Sequence, residues 1–316
     1  MKIGYNGSVV EAGDAKVSVY DHGFLYGIGL FETFRTYGGA PYLLERHLQR
    51  LAEGCRQLGI RWFADPAAIR RHLAELMSAH DLSEAYVRLT VSAGDEGLGL
   101  PAGDYIRPLQ LLMVKPLPAP SAGLYREGRE LSLLGTRRNS PEGGVRLKSL
   151  HFMNNVIAKR ELLQSGAPAG AEGLMLTGEG WLAEGIVSNL FFAAGGVVKT
   201  PAVKETGILP GITRRRVLEL AEAEGFPVEE GLYRWDELLA ADEIWVTNSV
   251  QELVPVTKLA DRSGMAGRSG NDTDMGAAKS AVVVGAGTIG PMCAKLLEQY
   301  RFDTDTDTGA GKARHD

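Results

Sequence analysis

Residues 115 to 123 read KPLPAPSAG, and the run of prolines and small residues there divides the chain. Proline has no N–H for a sheet ladder and clashes inside a helix, so neither element runs through this stretch. Helix-like and strand-like segments lie on both sides of it, and 316 residues are enough for each side to bury its own core. The chain therefore reads as α+β, in two domains.

Before the break, residues 17 to 20 and 31 to 37 carry β-formers, and Gly38-Gly39 is a hairpin signal. Leu44, Leu48, Leu51, Cys55 and Leu58 then recur at helical spacing until Gly59 stops the run. A second helix is expected from Pro66 to about His80, with buried strands over 86–92 and 109–115. After the break, the spacing predicts a helix over 150–164 that buries Leu150, Met153, Val156 and Ile157 on one face. Strand-like GLMLT and NLFFAA follow, a helix opens at Ile212, DEIWVTNS is a strand entering a turn, and GPMCAKLLEQY is a closing helix. Residues 262–280 are polar and glycine-rich and read as a mobile loop, and the Asp/Thr-rich tail 301–316 reads as disordered.

Composition narrows the function. With 34 basic against 39 acidic side chains, the net charge of −5 offers no global basic field for a nucleic-acid backbone. Cys55 and Cys293 show no disulfide or metal spacing and the six histidines form no ligand cluster, so no metal is expected and the expected compartment is a reducing cytoplasm. The start of the chain lacks an export pattern, and the uncharged stretch from Ser280 to Ala294 is too short and glycine-rich to span a bilayer. Neither nucleic acid nor membrane is an expected partner.

VVVGAGTIG, residues 282 to 290, imitates a strand entering a dinucleotide-binding turn. That turn needs a further strand with an acidic residue about twenty positions on. Only 26 residues remain after Gly290, most of them polar, so the string reads as a terminal strand, turn and helix.

Five segments together hold the parts for binding a phosphorylated aromatic aldehyde and activating an amine attached to it. In RLKSLHFMNN, Lys148 sits just before an apolar helix and is a candidate amine nucleophile. In LAEGIVSNLFF, Glu184 precedes an apolar strand, where a buried carboxylate needs a cationic partner, and a protonated pyridine nitrogen would serve. In GILPGITRRR, Gly211, Ile212 and Thr213 open a helix whose N–H groups favour an anion. Thr247, Asn248 and Ser249 end the strand of WVTNSVQELVPV with further small donors, and Arg50 in LLERHLQRL can supply a fixed positive charge. Taken alone, each is more readily explained as an ordinary surface charge or capping turn.

The order of DHGFLYGIGLFETFR, ERHLQRL, RLKSLHFMNN, AEGIVSNLFF, ILPGITRRR and TNSVQELVPV, over about residues 1 to 260, resembles the fold-type IV pyridoxal-phosphate enzymes, the class IV aminotransferase family. The resemblance implies pyridoxal 5'-phosphate as cofactor and two α/β domains with the cofactor between them in a homodimer. Here these are a smaller domain over 1–117, a linker over 118–123 and a larger cofactor-binding domain over 124–300. It further implies that Lys148 is the cofactor-bearing lysine and proton carrier, that Glu184 partners the pyridine nitrogen, that Leu209 lies against the ring, and that Arg50, Ile212, Thr213 and Ser249 surround the phosphate.

Within the family, local features are similar to the 4-amino-4-deoxychorismate lyases. The turn at 247–249 is TNS, whereas branched-chain aminotransferases usually carry a Gly-Thr-Ala type turn. Phe31 stands where D-amino-acid transaminases show tyrosine, and YVRLTVSAGDEGLG lacks their Arg-x-His pair. Phe31, Thr33 and Arg88 are the expected contacts of a small amino substrate, with Arg88 toward a carboxylate. The implied reaction releases pyruvate and 4-aminobenzoate, which would place the chain in folate biosynthesis. A branched-chain or D-amino-acid aminotransferase is the alternative.

Overall fold

The computed structural model describes residues 1–265 and 281–308. Its backbone forms two compact units, one of residues 1–119, 147–151 and the chain from Arg301 on, the other of residues 120–146 and 152–300.

The first unit contains β1 (Lys2–Tyr5), β2 (Ser8–Glu11), α1 (His22–Tyr26), β3 (Gly29–Tyr37), β4 (Ala40–Pro41), α2 (Leu44–Gln57), α3 (Pro66–Ser78), β5 (Tyr86–Ser92) and β6 (Leu109–Lys115). The strands form one antiparallel sheet in the order β2-β1-β6-β5-β3-β4. Gly38 and Gly39 both take positive φ, so the hairpin between β3 and β4 closes through two residues, with Tyr37 opposite Ala40. Strand alternation sends Leu30, Phe34, Val87, Leu89 and Val91 into a core with Leu48 and Leu51 of α2 and Leu73 and Leu76 of α3. Phe31, Thr33 and Arg88 belong to the other face, Thr33 directly opposite Arg88.

Residues 147–151 complete the edge of this sheet. Phe31 N–H donates to Lys148 O at 2.9 Å and Leu150 N–H to Gly29 O at 3.0 Å, and Ser149 bridges to Leu30. Position 148 is therefore tied to the start of β3, a long-range pairing that no local pattern shows. This also delays the next helix, which begins at Met153 rather than Leu150.

The second unit contains α4 (Leu124–Glu127), β7 (Arg129–Leu133), α5 (Met153–Gln164), β8 (Glu172–Leu176), β9 (Leu182–Gly185), β10 (Asn189–Ala194), β11 (Val197–Pro201), α6 (Val203–Thr206), α7 (Ile212–Ala223), β12 (Val228–Gly231), α8 (Trp235–Leu239), β13 (Glu243–Asn248), β14 (Glu252–Asp261), β15 (Val282–Val283) and α9 (Pro291–Thr308), the last divided between the units after Tyr300. The sheet order is β12-β11-β10-β13-β14-β7-β8-β9, with β15 paired to β14. It is mixed: β11 with β12, β14 with β7, and β7 with β8 run parallel. Leu131, Leu174, Leu190, Phe192, Ile244, Val246 and Val254 form its main core, and Leu134, Ala158, Leu162, Met175 and Ile186 a second one beneath α5.

Three expectations need correction. Residues 17 to 20 form no strand, because Val17 and Val19 are solvent-exposed and no neighbouring strand pairs with them. The buried face of α5 is the opposite one: Asn155, Ala158, Glu161 and Leu162 point inward, while Met153, Val156 and Ile157 are exposed, Met153 by 75%. The inward polar groups are tolerated because they are satisfied, Glu161 by Gly135 N–H (2.6 Å) and Thr136 N–H (2.8 Å), and Asn155 by Ile186 O (2.5 Å). The segment expected to be disordered from Arg301 is helical as far as Thr308. Its threonine hydroxyls bond back to carbonyls three or four residues earlier, and Asp303 accepts from the Tyr42 hydroxyl. The expected mobile loop lies mostly outside the described residues, which resume at Ala281, and so does the tail after Thr308. The GAGTIG string follows the two-residue strand β15 and leads into α9, as a strand, turn and helix.

Among the described residues, no helix is long and apolar enough to cross a membrane.

Candidate active site

In the first unit the site residues fall on both faces of β3. Glu32 is on the core side, 1% exposed, where an isolated carboxylate would be costly. Arg50, on α2 beside the buried Leu48 and Leu51, grips it with a fork: Nε to Oε1 at 2.8 Å and Nη2 to Oε2 at 2.6 Å. His47, about one turn earlier, places Nδ1 2.6 Å from Oε2. Burial pushes the Glu32 carboxyl up, but Arg50 and His47 outweigh it and hold the value at about 2. For His47 burial is the larger influence and lowers its value despite the pull of Glu32, with Arg50 and Lys148 adding to the lowering. A neutral His47 donates from Nδ1, since the carboxylate can only accept. Arg50 is thus oriented by an acid that sequence reasoning missed. The available signal was a glutamate at an inward position between Leu30 and Phe34.

On the other face, the Phe31 ring carries two cations, the Arg88 guanidinium carbon at 3.7 Å from its centroid and Lys148 Nζ at 4.8 Å. Burial lowers the Arg88 value from its ordinary one, with Tyr86 opposing. Among the described residues no carboxylate pairs with Arg88. Phe31, Arg88 and Lys148 are brought together, with Thr33 in register beside Arg88.

In the second unit the organising group is Glu184 at the end of β9, 4% exposed. Its Oε1 accepts from Arg138 Nε at 2.8 Å, with Arg146 Nε at 3.8 Å, and its Oε2 accepts from Leu209 N–H at 3.0 Å and Asn189 Nδ2 at 3.2 Å. The chain therefore already supplies a cationic partner of the kind that burial demands. A carboxylate has about four acceptor positions. Three are taken, and one on Oε1 is left for an N–H donor. Arg146 is itself drawn down to about 10, first by burial and then by Arg138, against the pull of Glu184 and Glu142. Arg138 and Arg146 were not singled out in the sequence, where they look like two more cations of a polar loop.

Asn189 links the acid to the next turn, since its Nδ2 also reaches Leu209 O at 2.9 Å. Leu209 is thereby held at Glu184 through both of its backbone polar groups. A Cβ on Gly211 would overlap Asn189 Oδ1, so this position requires glycine for close approach rather than for its φ. Gly211 also leaves the start of α7 without a side-chain cap. The buried Ile212 and Thr213 begin the helix, and Thr213 Oγ1 lies 3.0 Å from Ser249 Oγ. Thr247 Oγ1 is buried and has no hydrogen-bond partner among the described residues. Asn248 instead turns its Oδ1 back to Val250 N–H (3.0 Å) and Gln251 N–H (2.8 Å), so its amide oxygen serves its own turn. Uncapped helix N–H groups, clustered hydroxyls and a glycine at the approach make a donor set suited to a phosphate group. A buried acid with one acceptor position remaining suits a ring N–H. Among the described residues no cluster of His, Cys, Asp or Glu could hold a metal.

The chain is similar to known proteins over most of its length. The chain is 44% identical over 258 residues to the aminodeoxychorismate lyase of Bacillus subtilis (strain 168), covering 81% of this chain and 86% of that protein. The solved structure of 4-amino-4-deoxychorismate lyase from Pseudomonas aeruginosa superposes with a TM-score of 0.78 at 31% identity, covering 96% of this chain and 99% of that one. A T.th. branched-chain amino acid aminotransferase solved with pyridoxamine 5'-phosphate gives the same TM-score, 0.78, at 26% identity, over 98% of this chain and 94% of that one. Residues 29–259 match the family described as amino-transferase class IV, and the chain belongs to that family.

Proposed function

We propose that the protein is a pyridoxal-phosphate-dependent 4-amino-4-deoxychorismate lyase that forms 4-aminobenzoate and pyruvate, a step of folate biosynthesis. The observation that carries this reading is the 44% identity to a lyase over most of both chains, since the fold alone resembles lyase and aminotransferase equally.

The donor set fits the cofactor. Ile212 and Thr213, with Ser249 and Arg50, are assigned to its phosphate, Leu209 to its ring, Glu184 to its ring nitrogen and Lys148 to its aldehyde carbon. Held in this way, the cofactor would supply an electron sink for the carbon that bears the substrate amine. The rest is the work of the chain. Lys148 Nζ removes the proton from the carbon bearing the amine and acts as the acid or base when the enolpyruvyl ether leaves as pyruvate. The bond broken is the ring-to-ether C–O bond, and aromatisation of the ring needs neither oxidant nor water. Arg88, which meets no carboxylate of the described chain, is assigned to a substrate carboxylate, with Phe31 and Thr33 beside it.

The second reading, a branched-chain or D-amino-acid aminotransferase, draws on the equal TM-score. Purified protein given aminodeoxychorismate should release pyruvate and 4-aminobenzoate with no keto-acid acceptor present. Turnover of amino donors only when an acceptor is added would replace the lyase reading with the aminotransferase. Lys148→Ala should keep its fold but lose both turnover and the yellow colour of the bound cofactor. Retention of full turnover would remove Lys148 from the chemistry.

We also propose a cytoplasmic homodimer. Met153, Val156, Ile157 and Leu163 leave an apolar stripe exposed on α5, and such a stripe calls for a cover. Sedimentation at twice the mass of 34.0 kDa checks this.

A further inference from the structure

Arg138 is the most thoroughly fixed cation near Glu184. Its N–H donates to Leu176 O at 2.8 Å, and two residues shortly before it in the loop, 135 and 136, are held by the buried Glu161. Its Nη1 is taken by Asn154 Oδ1 at 2.9 Å and Asn139 Oδ1 at 3.1 Å, with Asn155 Oδ1 at 3.4 Å. Its Nε is directed to Glu184 Oε1. Arg146 is different in kind. Its Nε donates to Gly207 O at 2.6 Å and its other nitrogens go to Asn139, so toward Glu184, 3.8 Å away, it adds positive field and no hydrogen bond.

We propose that Arg138 is a positioning residue for the cofactor: it holds Glu184 as an ionised carboxylate with one acceptor position on Oε1 open, so that the ring nitrogen meets a carboxylate and not a carboxylic acid. The inference rests on the pyridoxal-phosphate reading given above and deepens it. The physical reason is burial. A carboxylate shut away from water takes up a proton unless a cation or donors compensate it, and as an acid it offers an O–H where the ring N–H must be accepted. The groups facing Glu184 are Arg138 and Arg146 from the loop before Lys148, Asn189 from β10 and the Leu209 N–H. Glu142 acts on Arg146. Asn154 and Asn155 of α5 are neutral and brace Arg138. Among these, Arg138 alone brings both charge and a hydrogen bond.

The test is the dissociation constant of pyridoxal phosphate for the full chain, measured by equilibrium dialysis of apoprotein at mildly acidic and mildly basic pH. The quantity read is the ratio of each variant to wild type. Arg138→Gln should weaken binding about tenfold or more at acidic pH and recover toward wild type at basic pH, where an uncompensated Glu184 ionises. Arg138→Lys keeps the charge and should show a ratio that does not change with pH. In a Glu184→Gln background the Arg138→Gln change should also lose its pH dependence, because no carboxylate remains to titrate. A merely structural role predicts the same ratio at every pH for Arg138→Gln, and that result overturns the inference. Should Arg138→Gln not fold, Arg138→Met takes its place in the same comparison: a ratio that falls toward wild type at basic pH supports the proposal and a flat one refutes it. Wild-type protein that takes up no pyridoxal phosphate would instead overturn the parent reading, and this inference with it.

Discussion

The buried Glu32 makes the first unit sensitive to acid by an amount that the structure sets. Its carboxyl is drawn from an ordinary 4.5 to about 2 by Arg50 and His47, against the opposing influence of burial. A difference of that size is worth about 3 kcal/mol of folded-state stability. The direction is that of a depressed acid. In the unfolded chain Glu32 binds a proton below about 4.5, while the folded chain resists until about 2. The stabilisation is therefore complete above pH 4.5 and disappears as the pH falls toward 2. Glu32→Gln removes this titration. Hydrogen exchange of peptides from β3 and α2, read by mass spectrometry, follows the local opening free energy without requiring the whole chain to unfold in one step. The advantage of wild type over Glu32→Gln should shrink by about 3 kcal/mol between about pH 5 and about pH 2. A difference that stays constant over that window would refute the reasoning, since it would mean that Glu32 is no more acidic folded than unfolded.

His47 adds a second acid-sensitive step at higher pH: burial lowers its value from 6.5, so the unfolded chain binds a proton that the folded chain refuses, and stability should begin to fall below about pH 6.5. Exchange rates of α2 that do not change on crossing that pH would contradict it. Gly211→Ala drives a methyl group against Asn189 Oδ1 and should cost about 1–3 kcal/mol in a urea titration while weakening pyridoxal-phosphate binding by an order of magnitude. Unchanged binding would mean that α7 does not face the phosphate. Arg88→Ala should raise KM for the carboxylate substrate about tenfold or more with a smaller effect on kcat, and a pure kcat loss would place Arg88 in the chemical step instead.

Much of the fold was legible because its signals are local. The alternation of 86–92 and 109–115 matches β5 and β6 residue for residue, and the spacing from Leu44 to Leu58 matches α2 with its cap. Period and turn chemistry are properties of neighbouring residues, so no tertiary knowledge is needed to read them. The opening of α7 at Ile212 after LPG was legible for the same reason.

The face of α5 shows where local reading fails. By hydrophobicity Met153, Val156 and Ile157 belong inside, yet Asn155 and Glu161 are buried, because loop 135–136 and Ile186 supply hydrogen bonds that satisfy a polar interior. Position 148 is likewise tied to β3 only through pairing with residues more than a hundred positions earlier. From its sequence alone the chain determined most of its element types and the identity of its chemical groups. The folded structure decided which charges meet: Glu32 with Arg50, and Glu184 with Arg138. A charge's partner is set by distance in space, and short-range patterns along the chain carry no record of it.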